Sequence, residues 1–114
     1  MSIELPPAIQ AFLDATADED SDAFVAVFTD DALLVDWSRA FHGHEGVASW
    51  NESDNIGKHT RFEVEGDLAD EPFGGVIATL TVSGEGYNGT GPMTFRLVGE
   101  GADQRIAELL IRPT

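Results

Sequence analysis

Apolar positions first recur at helical spacing. Ile9, Phe12, Leu13 and Thr16 share one face of a helix that starts at Pro6-Pro7, where proline's missing N–H costs nothing. Asp18-Glu19-Asp20-Ser21 breaks the pattern and offers an N-cap, Asp20 or Ser21, to a second helix. Phe24, Val27 and Phe28 form the buried stripe of that helix, and Thr29-Asp30-Asp31 is expected to end it. Ala32 to Trp37 is apolar between polar clusters, which marks a short, largely buried strand. A turn at His42–Gly46 leads to a third short helix carrying Val47 and Trp50 at i, i+3, running to about Asp54 and closed by Gly57.

From His59 onward the period falls to two. Phe62, Val64 and Leu68 take one face of a strand, with Arg61, Glu63, Glu65 and Asp67 opposite. Val76, Ala78, Leu80 and Val82 alternate with Ile77, Thr79 and Thr81. Gly84, Gly86 and Gly89 mark a hairpin turn that holds Tyr87 and Asn88. Met93, Phe95 and Leu97 face one way in the next strand, and Gly99 to Asp103 turns the chain again. Ile106 to Ile111 is apolar enough for a central or interface strand. Helices first and strands later imply an α+β fold, with three helices on one face of a curved antiparallel sheet. Such a bent sheet and its helix cover enclose a cone, a natural small-molecule pocket.

The chain has 114 residues, enough for a single domain over residues 1–114 with a core of its own. It has no cysteine, which excludes disulfides, thiolate metal sites and cysteine nucleophiles. No apolar run approaches the roughly 20 residues of a membrane span. Met1–Leu5 has neither a basic nor an apolar signal region, so no secretory signal is expected and the cytoplasm is the expected location. Net charge is −15, with lysine present once, at Lys58. Such a surface repels phosphate backbones and anionic lipid, so neither nucleic acid nor membrane is an expected partner. Gly84-Glu85-Gly86 and Gly99-Glu100-Gly101 precede no helix and are turn glycines, not nucleotide fingerprints. No cofactor is expected.

The helical pair, the Phe28-Thr29-Asp30-Asp31-Ala32 junction, the strand ending at Asp36 and the Gly46-Val47-Ala48-Ser49-Trp50 helix resemble the nuclear transport factor 2-like superfamily. Its SnoaL-like polyketide cyclase and ketosteroid isomerase branches look closest. The resemblance implies a cystatin-like cone and a homodimer formed through the exposed sheet face. It also puts Asp36 where the isomerases carry a general base that moves a proton on carbon beside a carbonyl. The isomerases hold the resulting oxyanion with a tyrosine and a protonated aspartic acid. Those positions are Phe12 and Met93 here, and neither offers a donor, so steroid isomerisation by that route is not expected. The epoxide-hydrolase branch needs an Asp-Arg-Asp set around a water, for which Asp36, Arg61 and Glu108 are the candidates.

Asp36, beside Trp37 at the end of an apolar strand, is the candidate catalytic acid/base. Phe12, Trp37, Phe41, Trp50, His59, Met93 and Phe95 are the candidate ligand-binding residues. Arg39 either neutralises an anionic ligand or pairs with Asp36. His42 and His44 alternate in a loop with Glu45 following, a spacing that places no third ligand for a metal, so none is expected. The function expected is binding of a hydrophobic small molecule. Isomerase, cyclase or hydrolase chemistry at Asp36 stands against a non-catalytic ligand-binding or dimerisation role.

Overall fold

Pro7 opens the first helix, α1 (Pro7–Ala17), which buries Ala8, Ile9, Phe12, Ala15 and Thr16. The computed structural model describes residues 5–71 and 75–111. Residues 1–4, on which the expectation about secretion rests, lie outside them. Asp20 caps α2 (Ser21–Ala26), its Oδ1 accepting the Ala23 N–H at 3.1 Å. Phe28 and Thr29-Asp30-Asp31 do not extend or end this helix, as their spacing suggests. They open strand β1 (Phe28–Asp36). The last strand decides the matter, because Phe28 pairs with Ile106 and the Ile106 N–H donates to the Val27 carbonyl at 2.9 Å. A register shift between Phe28 and Leu33 leaves Asp31 exposed at the surface.

Strand β2 (Arg39–His42) has no signature in the sequence, since its four residues are mostly exposed and carry no apolar alternation. It exists because the Trp37-Ser38 turn folds it back onto β1, setting Asp36 opposite Arg39 and Leu33 opposite His42. Helix α3 (Gly43–Asp54) follows, then a 3₁₀ turn (Ile56–Lys58). A Cβ at Gly57 would overlap the carbonyl oxygen of Glu52, so this close approach requires glycine. Strands β3 (Arg61–Glu71), β4 (Gly75–Ser83), β5 (Gly89–Val98) and β6 (Arg105–Ile111) complete the sheet.

The strand order is β2-β1-β6-β5-β4-β3. The last strand is central, between β1 and β5. The β1–β6 pair is parallel, and the other pairings are antiparallel. The architecture is α+β, three helices on a curved, six-stranded sheet.

Beneath the helices, Phe12 meets Phe24, Phe62 and Phe95 with centroids 5.2–5.3 Å apart, and Phe28 at 6.3 Å. Each fully buried phenylalanine contributes about 1.5–3 kcal/mol of transfer free energy. A polar seam ties the helices together: the Asn55 amide donates to Thr16 Oγ1 and Asn51 Oδ1, and the Asn51 amide donates to Ser21 Oγ, each at 3.1 Å.

Candidate functional site

One row of paired residues across the sheet is sealed and the next is open. Leu34, Leu109 and Phe95 are register partners on β1, β6 and β5, and each is 0% exposed. Two residues away on each strand, and so on the same face, Asp36, Ile111 and Met93 are partners in turn. All three border a cavity of about 400 Å³. Val82, Gly91 and Pro92 extend its apolar floor, and Trp37, Ser38, Arg39, Asp54 and Tyr87 complete the wall.

Local chain geometry sets the polar corner. Trp37 adopts a left-handed φ of 59°, and its N–H donates to the Ile111 carbonyl at 2.8 Å. That tight turn returns Arg39 to a position opposite Asp36, a cross-strand pair of opposite charge. Arg39 Nη2 donates to Asp36 Oδ2 at 2.7 Å. The Trp50 indole N–H, arriving from α3, donates to the same oxygen at 2.9 Å. Among the described residues Asp36 Oδ1 has no hydrogen-bond partner. The carboxylate is thus fixed through one oxygen while the other remains available to a ligand.

Arg39 Nη1 also lies 3.2 Å from Asp54 Oδ2, which accepts from Ser53 Oγ at 2.7 Å. The shorter contact of Arg39 is with Asp36, yet Asp54 exerts the larger upward pull on the guanidinium pKa. Asp36, Arg39 and Asp54 therefore form a continuous acid–base–acid chain along one wall.

Two large aromatics stand at this cavity in water. Trp37 is 53% exposed and Tyr87 51%, and their rings meet edge to face at 6.3 Å. The β4–β5 turn is set by Asn88, whose Oδ1 accepts the Gly84 N–H and whose amide donates to the Gly84 and Gly86 carbonyls. The Tyr87 ring lies over Gly89, where any Cβ would collide with its hydroxyl end.

Of the residues singled out from sequence, Asp36, Trp37, Arg39 and Met93 border the cavity. Trp50 is buried behind it, stacked on Phe24 at 6.0 Å, and reaches the site through its N–H. Phe12 and Phe95 lie off the wall, because they seal each other within the aromatic cluster. Phe41 is also off the wall and carries the Arg39 guanidinium 5.5 Å from its ring centroid. His59 points to the helix layer, its Nδ1 2.7 Å from Glu19 Oε2. Each of these side chains has a partner within the protein: another ring, the Arg39 guanidinium or the Glu19 carboxylate.

The set Asp36, Arg61 and Glu108 is not assembled. Arg61 lies 3.6 Å from Glu19, and Glu108 lies 3.6 Å from Arg96. The base that contacts Asp36 is Arg39, which also contacts Asp54. Arg39 was legible as a partner three residues away across a turn, whereas Asp54 carried no signal because α3 brings it in from another element. Tyr87 had only its hairpin glycines to mark it. His44 Nε2 lies 2.8 Å from the Phe28 carbonyl, and no group of three or more metal-ligating side chains occurs among the described residues. Among them, too, no helix is long and apolar enough to cross a membrane.

No curated protein matches the chain significantly. Solved structures share its fold at low identity. SMa1630 from Sinorhizobium meliloti, a candidate polyketide cyclase, superposes with a TM-score of 0.72 at 22% identity, covering 95% of each chain. RV0760c from Mycobacterium tuberculosis superposes at 0.77 and 15% identity, over 96% of this chain and 92% of that one, and it has also been solved with estradiol-17β-hemisuccinate. SalBIII, an epoxide hydrolase/cyclase-like enzyme of pyran ring formation in salinomycin, superposes at 0.75 and 18% identity, over 92% and 86%. The model of the SnoaL-like domain matches residues 9–109, from the first helix to the last strand. The chain belongs to the SnoaL-like domain family.

Proposed function

We propose that the protein binds a hydrophobic small molecule in the cavity beside Asp36, and that Asp36 serves there as general acid/base. The observation that carries this reading is the single carboxylate ending an otherwise apolar row, with one oxygen held by Trp50 and Arg39 and the other without a partner among the described residues. A base so positioned can take a proton from carbon beside a carbonyl, or from a water attacking an epoxide. In either case Arg39, flanked by Asp36 and Asp54, serves to hold the Asp36 carboxylate in place. The Tyr87 and Ser38 hydroxyls are donors on the cavity wall, and Met93 on that wall has none.

The test follows isotopes. An apolar cyclic ketone incubated with the protein in D₂O gains deuterium beside its carbonyl, and an apolar epoxide in H₂¹⁸O yields labelled diol. Asp36→Asn lowers whichever reaction occurs by a factor of about 10²–10⁴, the usual worth of a general base. Binding without label transfer in either assay leaves the non-catalytic reading, which the missing donors at Phe12 and Met93 favour.

The same reading includes a homodimer. The outer sheet face presents Leu33, Val35, Ile77 and Leu110, with Arg96 and Glu108 paired beside them. Light scattering of Leu110→Asp against the unmodified chain tests it: the unmodified chain has the dimer mass and the variant the monomer mass.

A further inference from the structure

Three features of the cavity converge on the charge of its ligand. Its described ionisable wall groups are two acids, Asp36 and Asp54, and one base, Arg39, apart from the Tyr87 phenol. Its half-exposed aromatics, Trp37 and Tyr87, come from two different turns and present ring faces and edges where the cavity meets solvent. The molecule around it carries a net charge of −15.

We infer that the ligand of this cavity is a hydrophobic monocation: an apolar ring or chain bearing a protonated amine or quaternary ammonium. This rests on the ligand-binding reading above and adds the sign of the charge. Arg39 is already shared between two carboxylates, so it has little left for an anion, which would also have to approach Asp36 and Asp54. An ammonium group finds the unengaged Asp36 Oδ1 as an acceptor. Trp37 and Tyr87 supply the π surfaces that attract cations. Neither aromatic is sealed in the core, and Trp37 holds a left-handed backbone while presenting an indole to water. The surrounding field raises the local concentration of cations and lowers that of anions.

Three probes of nearly one shape provide the test: 1-naphthylmethylamine, 1-naphthalenemethanol and 1-naphthoate, titrated into the full chain by calorimetry and by indole N–H shifts of Trp37 and Trp50. The amine is expected to bind on the order of tenfold more tightly than the alcohol, the size of one charge-assisted contact, and the carboxylate more weakly than both. Asp36→Asn should abolish the preference, and Glu63→Gln, which removes the same charge from the exposed side of β3, should keep it. Equal binding of amine and alcohol with shifts at the site overturns the cation assignment and leaves the cavity's ligand role intact. A preference lost equally in Glu63→Gln overturns it as well, by showing a whole-molecule charge effect. Failure of all three probes to move either indole removes the ligand reading along with it.

Discussion

On β5 two neighbouring inward positions face opposite fates. Phe95 is sealed among Phe12, Leu109 and Leu34, whereas Met93 floors a cavity beside Asp36. The same division runs across β6 and β1, from Leu109 to Ile111 and from Leu34 to Asp36. The filled row and the hollow row use one sheet, one face and one register. What differs is the helix layer above. Phe12 and Phe24 fill the space over the first row, and α3 sends the Trp50 indole N–H and the Asp54 carboxylate toward the second. A sealed core and an open cavity thereby occupy adjacent rows of one face of the sheet.

The largest expected effect breaks the filled row. Phe12→Ala removes a ring with four aromatic neighbours and leaves a closed void, at a cost of about 3–5 kcal/mol. Met93→Ala, which only enlarges an existing hollow, should cost about 2 kcal/mol, the low end for such a truncation, since little new cavity is created. Urea unfolding of the two variants measures the difference. Equal losses would mean that the hollow row is as tightly packed as the filled one.

Next in size is the hinge between rows. Trp50→Phe keeps the ring stacked on Phe24 and deletes the donor to Asp36 Oδ2. A hydrogen bond to a charged group contributes about 1.5–3 kcal/mol, so stability should fall by an amount near the lower figure while Arg39 still holds the carboxylate. Amide exchange rates in α3 and the titration of an added ligand then report separate consequences. If stability falls while ligand affinity does not move, Trp50 is a packing residue alone.

Arg39→Gln has a smaller effect on stability, below about 1 kcal/mol, because the guanidinium is half exposed and its pairs are screened. Its effect on binding has a definite sign. Removing the only described cation from the wall should strengthen binding of an apolar amine and leave the neutral analogue nearly unchanged. Weaker amine binding would show that Arg39 acts chiefly by orienting Asp36.

How much of this division the sequence revealed follows from what each part depends on. Helix α1, β4 and β5 are written in apolar periodicity, so local pattern suffices for them, and it narrows the α2 cap to Asp20 or Ser21, of which the structure uses Asp20. Strand β2 and the start of β1 depend on pairing partners far along the chain, which periodicity does not carry. Asp36 was legible as an acid ending an apolar strand. The sealing of Phe12 and Phe95 was not, because the same aromatic residues line a pocket or fill it depending on a few ångströms of helix position. Tyr87 and Asp54 enter only through tertiary approach.

The smallest expected effect tests whether the helix layer can be loosened without touching the hollow row. His59 and Glu19 both adopt left-handed backbone, at φ 52° and 53°, and their side chains join the α1–α2 turn to the entry of β3. The hydrogen bond from His59, then its charge and that of Arg61, hold the Glu19 carboxyl below its ordinary 4.5. The hydrogen bond to Glu19, followed by the charges of Glu19 and Glu85, holds His59 above its ordinary 6.5. The histidine's contribution is complete below 6.5 and is lost as pH rises through its raised folded value. The glutamate's contribution is complete above 4.5 and is lost as pH falls through its depressed one. Both are therefore in force between about pH 4.5 and 6.5. His59→Asn removes the charge while keeping a residue that tolerates left-handed backbone. The thermal midpoint of the unmodified chain should exceed that of the variant most within this window and by less on either side. Ligand affinity should be equal in the two proteins, since neither residue borders the cavity. A midpoint difference that is flat with pH would leave the pair as a surface contact without linkage, and a change in affinity would show that the helix layer and the hollow row are mechanically joined.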